Sequence, residues 1–423
     1  MNTEPVSGRF NPECPGSKRE TWATPALLRA AGLVLAMGLL ALSGCRNHDF
    51  PEYPPNYREF AYVSNGGSNT VSVFDVVNVR LDREIQVGQN PTGVTANPKR
   101  NEVYVVNSGT GNGANGANGS VSVIDTEKNA VVATIPVHRQ PYFLDVDPSG
   151  DVAYVANSGS NSVSVIDLRT RREIAIAGTG EGPGLARISP DGTSLVVTNR
   201  IGNSVSIFAA AGRDIPRIRK VIEGCPGATD AVILPDSSKA FVACSGGRQI
   251  MAIALARNGD AGRQARPDAL EALLDVGRSP VHLALKPDGG ELFVSNFDSN
   301  SISEVVTGTD DVGGAYLMGS HPVRGLVSPD NALLYESNFS SQEISIYSID
   351  ESKRLVSSGN QGSIHVGDGP DALAFSSGAH LLFVVDAGSS DVAVIRTSTA
   401  SLFTLMPTGR QPNAIAIKAF RIP

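Results

Sequence analysis

Tryptophan is almost missing from these 423 residues: Trp22 is the only one, and it stands ahead of the longest apolar run. Aromatic residues make up 6% and charged residues 18%, and neither sign of charge forms a run. With 42 acidic against 35 basic residues the net charge is −7, which excludes the basic footprint of a nucleic-acid binder. The longest apolar stretch, Ala30–Leu42, is too short to cross a bilayer as a helix. Reaction signatures are missing as well: there is no Walker A sequence, no G-x-S-x-G elbow, no H-E-x-x-H and no C-x-x-C-H for covalent haem. Gly111-x-Gly113-x-x-Gly116 matches a dinucleotide fingerprint by its letters, but it joins two strand-like segments and no helix follows to hold a phosphate. What the chain has in excess is turn formers. Its 44 Gly and 26 Pro are about one residue in six, within a 41% hydrophobic composition that reads as loop-rich and globular.

Lys18, Arg19 and Arg29 precede Ala30–Leu42, the layout of a signal-peptide core. Directly behind it, Leu42-Ser43-Gly44-Cys45 resembles the bacterial lipobox, in which the cysteine after a small residue is lipidated and becomes the mature N-terminus. The resemblance implies a lipoprotein signal peptide over residues 1–44 and an acyl anchor on Cys45. It also implies a membrane contact without a spanning helix, and a place in the bacterial cell envelope on the periplasmic or extracellular face. Residues 45–57 hold Pro51, Pro54 and Pro55 and read as a flexible tether.

From residue 58 to 423 the chain repeats. Tyr62-Val63-Ser64-Asn65, a short polar turn, then Val71-Ser72-Val73-Phe74-Asp75 recurs as YVVN ending at Asn107, YVAN at Asn157 and VVTN at Asn199. Weaker copies are FVAC at Cys244, FVSN at Asn296, YESN at Asn338 and FVVD at Asp386. Eight copies about 45 residues apart, each with several short strands, predict a single all-β domain, a β-propeller of eight four-stranded blades. A second series agrees. A Pro, usually with a Gly three residues before it, opens each unit at Pro91, Pro141, Pro183, Pro226, Pro280, Pro322, Pro370 and Pro412. Each blade then reads strand A after the Pro, strand B (YVxN), strand C (VSVID) and strand D. The first unit lacks a strand A, and the chain ends on an orphan one, Asn413–Phe420. Pairing of these terminal strands in one shared blade would close the ring.

These units resemble the YVTN β-propeller repeat family across about Phe60–Phe420. More distantly they look like lactonase-type propellers and the haem-d-binding propeller of bacterial nitrite reductases. Family members are often seven-bladed, whereas the repeats here number eight. The motif specifies the blade far more than a function. Tryptophan-based propeller signatures are excluded, because Trp22 lies in the leader.

Function must then come from departures at the channel mouth, where each strand A starts. Two residues after the opening Pro stand Gly93, Phe143, Leu185, Ala228, His282, Arg324, Ala372 and Ala414; a two-residue shift in the fourth of these puts Asp230 in place of Ala228. Two positions further on, Asp145 and Arg187 interrupt otherwise small or apolar residues. His282, Arg324 and Arg187 are the candidates for acid–base work and anion stabilisation, with Asp145 and Asp230 as ligand-binding groups. Residues of these kinds occur at this place in lactonase-type propellers. The competing expectation is a neutralised salt-bridge ring that fills the channel. The leading reading is a non-enzymatic binding scaffold that presents its channel-mouth face to a protein or small-molecule ligand, and the alternative is a lactonase-like hydrolase. No metal or cofactor is expected; a haem would need axial donors, for which His138 and His321 have no supporting context. With Cys45 acylated, Cys225 and Cys244 are the remaining thiols of the mature chain and are expected to form a disulfide in an oxidising compartment. Counting from the turn at Pro235–Lys239 puts Cys244 opposite about Asp230, so the loop holding Cys225 has to fold back.

Overall fold

The computed structural model describes residues 52–111, 116–210, 212–256, 268–349 and 360–422. The expected signal peptide and Cys45 lie outside them. Among the described residues no helix is long and apolar enough to cross a membrane.

Among the described residues thirty-two strands form eight four-stranded antiparallel sheets, the eight blades of a β-propeller. Blade 1 is built from both ends of the chain. Tyr57–Asn65, Thr70–Asp75 and Arg80–Gln86 supply its outer strands, and Pro412–Arg421 its inner one. Tyr57 pairs with Arg421, Ala61 with Ile417 and Ser64 with Ala414. The inner strands of blades 2 to 8 are Pro91–Ala96, Pro141–Val146, Pro183–Ile188, Ala228–Ile233, Pro280–Leu285, Pro322–Val327 and Pro370–Phe375. Each packs against the next, and that of blade 8 returns to Pro412–Arg421. All of them start at one face, together with the B-to-C turns; Tyr57 and Arg421 lie at the other face.

The core sits between neighbouring blades because strands B and C bury both of their faces. Tyr104, Val106, Val121 and Val123 of blade 2 interlock with Leu144, Ala153, Val155 and Ile166 of blade 3. At the mouth end, a recurring polar lock replaces apolar packing. Asn65 Nδ2 donates to Thr70 and Ser72 at 3.0 and 2.9 Å, Asn157 to Ser164 at 2.8 Å and Asn296 to Ser303 at 2.9 Å. Where a Gly stands three residues before the opening Pro, it lies against the side chain that ends strand B. An added Cβ at Gly88, Gly180 or Gly277 would meet Asn107, Asn199 or Asn296 at 2.6, 2.6 and 2.5 Å, so only glycine fits.

In blade 5 those two slots are occupied by Cys225 and Cys244, which the structure joins in a disulfide with Cα atoms 4.9 Å apart. No special folding back is needed. A bulge between Ala228 and Ala231 sets Cys244 opposite Ala228 rather than Asp230, and the cysteines meet where glycine meets asparagine in other blades.

Candidate functional site

Ala228 pairs with Cys244 as Pro280 pairs with Asn296, so Asp230 occupies the same slot in blade 5 as His282 in blade 6. The inner strands therefore carry Asp145, Arg187, Asp230, His282 and Arg324 on blades 3, 4, 5, 6 and 7 in turn. Blade 8 adds Asp371, which the slot count does not reach because it directly follows Pro370. On the remaining arc the slots hold Gly93, Ala372 and Ala414.

The charged groups pair loosely between blades. Arg187 Nη1 lies 3.6 Å from Asp145 Oδ2, His282 Nε2 3.6 Å from Asp230 Oδ2 and Arg324 Nε 3.5 Å from Asp371 Oδ1. The carboxylates are held more tightly by backbone. Asp145 accepts from Val146 and Ile188 N–H at 3.1 Å each, and Asp230 from Ala231 and Leu283 at 2.9 and 3.0 Å. Each thus staples its own inner strand to the next. The guanidiniums are less engaged. Arg187 stacks 4.8 Å from the Phe143 ring centre and reaches Ala231 O at 3.4 Å; its side chain is 32% exposed and that of Arg324 42%. With five donors each, both keep N–H groups to offer.

The pairs do not fill the channel. A cavity of about 650 Å³ opens at the mouth across blades 3 to 7. Arg187, Asp230, His282 and Arg324 line it, with Phe143, Leu185, Val281 and Val323 as its apolar wall and Tyr142, Arg200 and Ile201 at its rim. Asp145 is not on the wall and acts on the cavity through Arg187. His138 pairs with Glu173, and His321 is stacked on Phe297, so the structure does not bring either to this wall. Among the described residues no group of three His, Cys, Asp or Glu is placed to hold a metal ion.

Burial pushes the His282 imidazole down to about 4; Asp230 opposes the shift, while Arg324 and Arg187 add to it. His282 is neutral at physiological pH. Its Nδ1 accepts the Gly325 N–H at 3.2 Å, which leaves the proton on Nε2, facing Asp230. In this tautomer the ring donates to the cavity and holds no free lone pair for a base. Burial also raises the Asp145 carboxyl, and Arg187 works against that rise.

One residue that the inner-strand count misses is Glu336, in strand B of blade 7 (Leu333–Asn338). Seven blades carry valine at this position: Val63, Val105, Val155, Val197, Val242, Val294 and Val384. Its cross-strand partner is also exceptional, Gly325 where the others have Ile415, Val94, Leu144, Ala186, Ala231, Leu283 and Leu373. The sequence signal was present in the E of YESN.

No protein-family model matches the chain, and no curated protein matches it in sequence. Solved structures do resemble it in fold. Apo AztD from Citrobacter koseri aligns with a TM-score of 0.60 at 12% identity, covering 86% of this chain and 98% of that one. The periplasmic gluconolactonase of Pseudomonas aeruginosa gives 0.56 at 15% identity, with 87% and 99% covered. Hydrazine synthase from Kuenenia stuttgartiensis gives 0.54 at 22% identity, with 68% and 92% covered. Likeness at this level of identity shows the β-propeller fold.

Proposed function

We propose that the chain is a lipid-anchored binding propeller of the bacterial cell envelope whose channel mouth takes a small ligand bearing a carboxylate. One observation carries the reading: Arg187 and Arg324 project underused N–H groups into the same cavity, while Asp145 and Asp230 are occupied by backbone amides. A carboxylate would complete the guanidinium hydrogen bonding that Asp145 and Asp371 leave long. The apolar wall of Phe143, Leu185, Val281 and Val323 suits the ligand's body. The Leu42–Cys45 pattern supports the anchor. Tyr57, where the chain enters the first blade, lies at the face away from the mouth.

Isothermal titration with acetate, benzoate and gluconate tests this. Saturable binding of at least one is expected, weakened about tenfold or more by Arg187→Ala or Arg324→Ala, since a charged hydrogen bond contributes about 1.5–3 kcal/mol. If none of the three binds, or if the variants bind like the parent, the reading falls.

A lactonase-like hydrolase is the second reading, favoured by a gluconolactonase among proteins of similar fold and by His282 lying beside Arg324. It predicts acid release from gluconolactone, lost in His282→Ala. Against it stands the His282 tautomer, which suits hydrogen-bond donation and not proton abstraction.

A further inference from the structure

Eight blades built to one pattern serve as controls for one another, and blade 7 breaks the pattern twice at a single cross-strand pair. Glu336 stands for valine, and Gly325 stands for a larger apolar residue directly opposite it. The two changes fit each other. A Cβ on Gly325 would lie 2.6 Å from Glu336 Oε2 and 3.0 Å from the Ala284 Cβ, so the glycine is what makes room for the carboxyl group. Glu336 is 1% exposed; the Ser295 hydroxyl of blade 6 acts on its carboxyl group, but in a geometry too poor to satisfy either oxygen. A carboxyl group kept for structure alone would show well-formed hydrogen bonds to both oxygens, and this one does not.

The surroundings tie this carboxyl to the cavity. The amide of Gly325 fixes the His282 ring, and Gly325 directly follows Arg324. From blade 6 the groups facing the pair are Ala284, the Ser295 hydroxyl and His282; Glu304, further out in the same interface, is held by Tyr316 and Tyr347. From blade 7 itself the facing charge is Arg324, which is shared with Asp371. His282 stays neutral over the working range, so Arg324 is the only cation among these neighbours.

We propose that Glu336 is a proton-carrying positioning residue of the channel-mouth site, and that an anion is held at Arg324 only while the Glu336 carboxyl is uncharged. This rests on the carboxylate-binding reading above. An ionised Glu336 would compete with the ligand for the field of Arg324; a protonated one leaves that charge to the ligand. Burial raises the Glu336 carboxyl to about 8, with Ser295 and Arg324 acting against the rise. Its proton is therefore in place at neutral pH and lost in mildly alkaline solution.

The test is the pH dependence of binding, measured with whichever of acetate, benzoate and gluconate binds tightest. The wild-type affinity should be constant from pH 6 to 7 and fall by about tenfold per pH unit above pH 8. Glu336→Gln keeps the shape without the titration and should flatten the profile. Glu336→Val installs the residue of the other seven blades and should flatten it too, which guards against failure of one variant to fold. Infrared difference spectra should show a protonated carboxyl band at pH 6 that Glu336→Gln removes. If wild type and both variants give superimposable profiles, or if the band is absent, the proposal is overturned while carboxylate binding stands. If none of the three anions binds the wild type at any pH, both readings fall together.

Discussion

Blade 8 ends its strand B on Asp386, where six blades carry asparagine, and that one substitution predicts a stabilising mutation. Asp386 is fully buried and accepts the Gly367 N–H at 3.1 Å, and Asp391 stands beside it where five other blades offer serine or threonine. Burial first, and then Asp391, push its carboxyl from the usual range up to about 8. An acid of this kind binds a proton more readily folded than unfolded. Its contribution to stability is complete below about pH 4, declines as pH rises, and is lost once pH passes the folded value near 8. Moving the carboxyl from its usual range to about 8 corresponds to roughly 6 kcal/mol as a ceiling; sharing one proton with Asp391 and local water entry reduce the expected effect to about 2–4 kcal/mol. Asp386→Asn supplies an uncharged group that can donate to Asp391. Guanidinium denaturation should find the variant more stable than wild type by about that amount at pH 9 and nearly equal to it at pH 4. If the two proteins lose stability in parallel between these pH values, the carboxyl pair is not ionising as argued.

Three further outcomes are expected. Replacing Cys225 and Cys244 by serine removes a cross-link spanning 19 residues and should cost about 3 kcal/mol, read as a lower denaturant midpoint; a midpoint unmoved by reductant would reject the bond. Phe420→Ala strips an aromatic partner from Phe60, 6.2 Å away, and should cost about 3 kcal/mol, whereas deleting residues 413–423 should abolish cooperative unfolding. A melting curve like the parent's would show that strand to be dispensable. Cys45→Ser should move the protein from the membrane fraction to the soluble one, and unchanged partitioning would refute the anchor.

The fold could be read from the sequence because the same information is written eight times. Any one YVxN copy is weak, and FVAC and YESN would pass unnoticed alone, but constant spacing and the opening prolines make the count. The terminal pairing followed from a missing strand A at one end and a surplus one at the other. The site was harder, since function lies in what does not repeat. Asp145, Arg187, Asp230, His282 and Arg324 are visible once the inner strands are aligned, because a charge in a slot of Ala, Gly and Leu is conspicuous. Asp371 escapes for lying one residue off that slot, and Glu336 for lying on strand B, where the repeat motif marks the blade and not the channel mouth. Pairing partners across strands are invisible to a linear scan, so the exchange of bulk between Gly325 and Glu336 needed the register. The tautomer of His282 likewise depends on an amide from the following blade.

The shared blade also fixes the order of events during biosynthesis. Asn56 bonds to Ile422 across 366 positions, so the first strands made wait for the last before blade 1 is whole. Blades 2 to 8 each assemble from one continuous segment, but the ring cannot shut while the C-terminal segment is still inside the ribosome. Until then Tyr62 and Val63 border an unpaired edge. In a chain that must remain open until it is complete, the slowest folding step should be the final capture of residues 412–421.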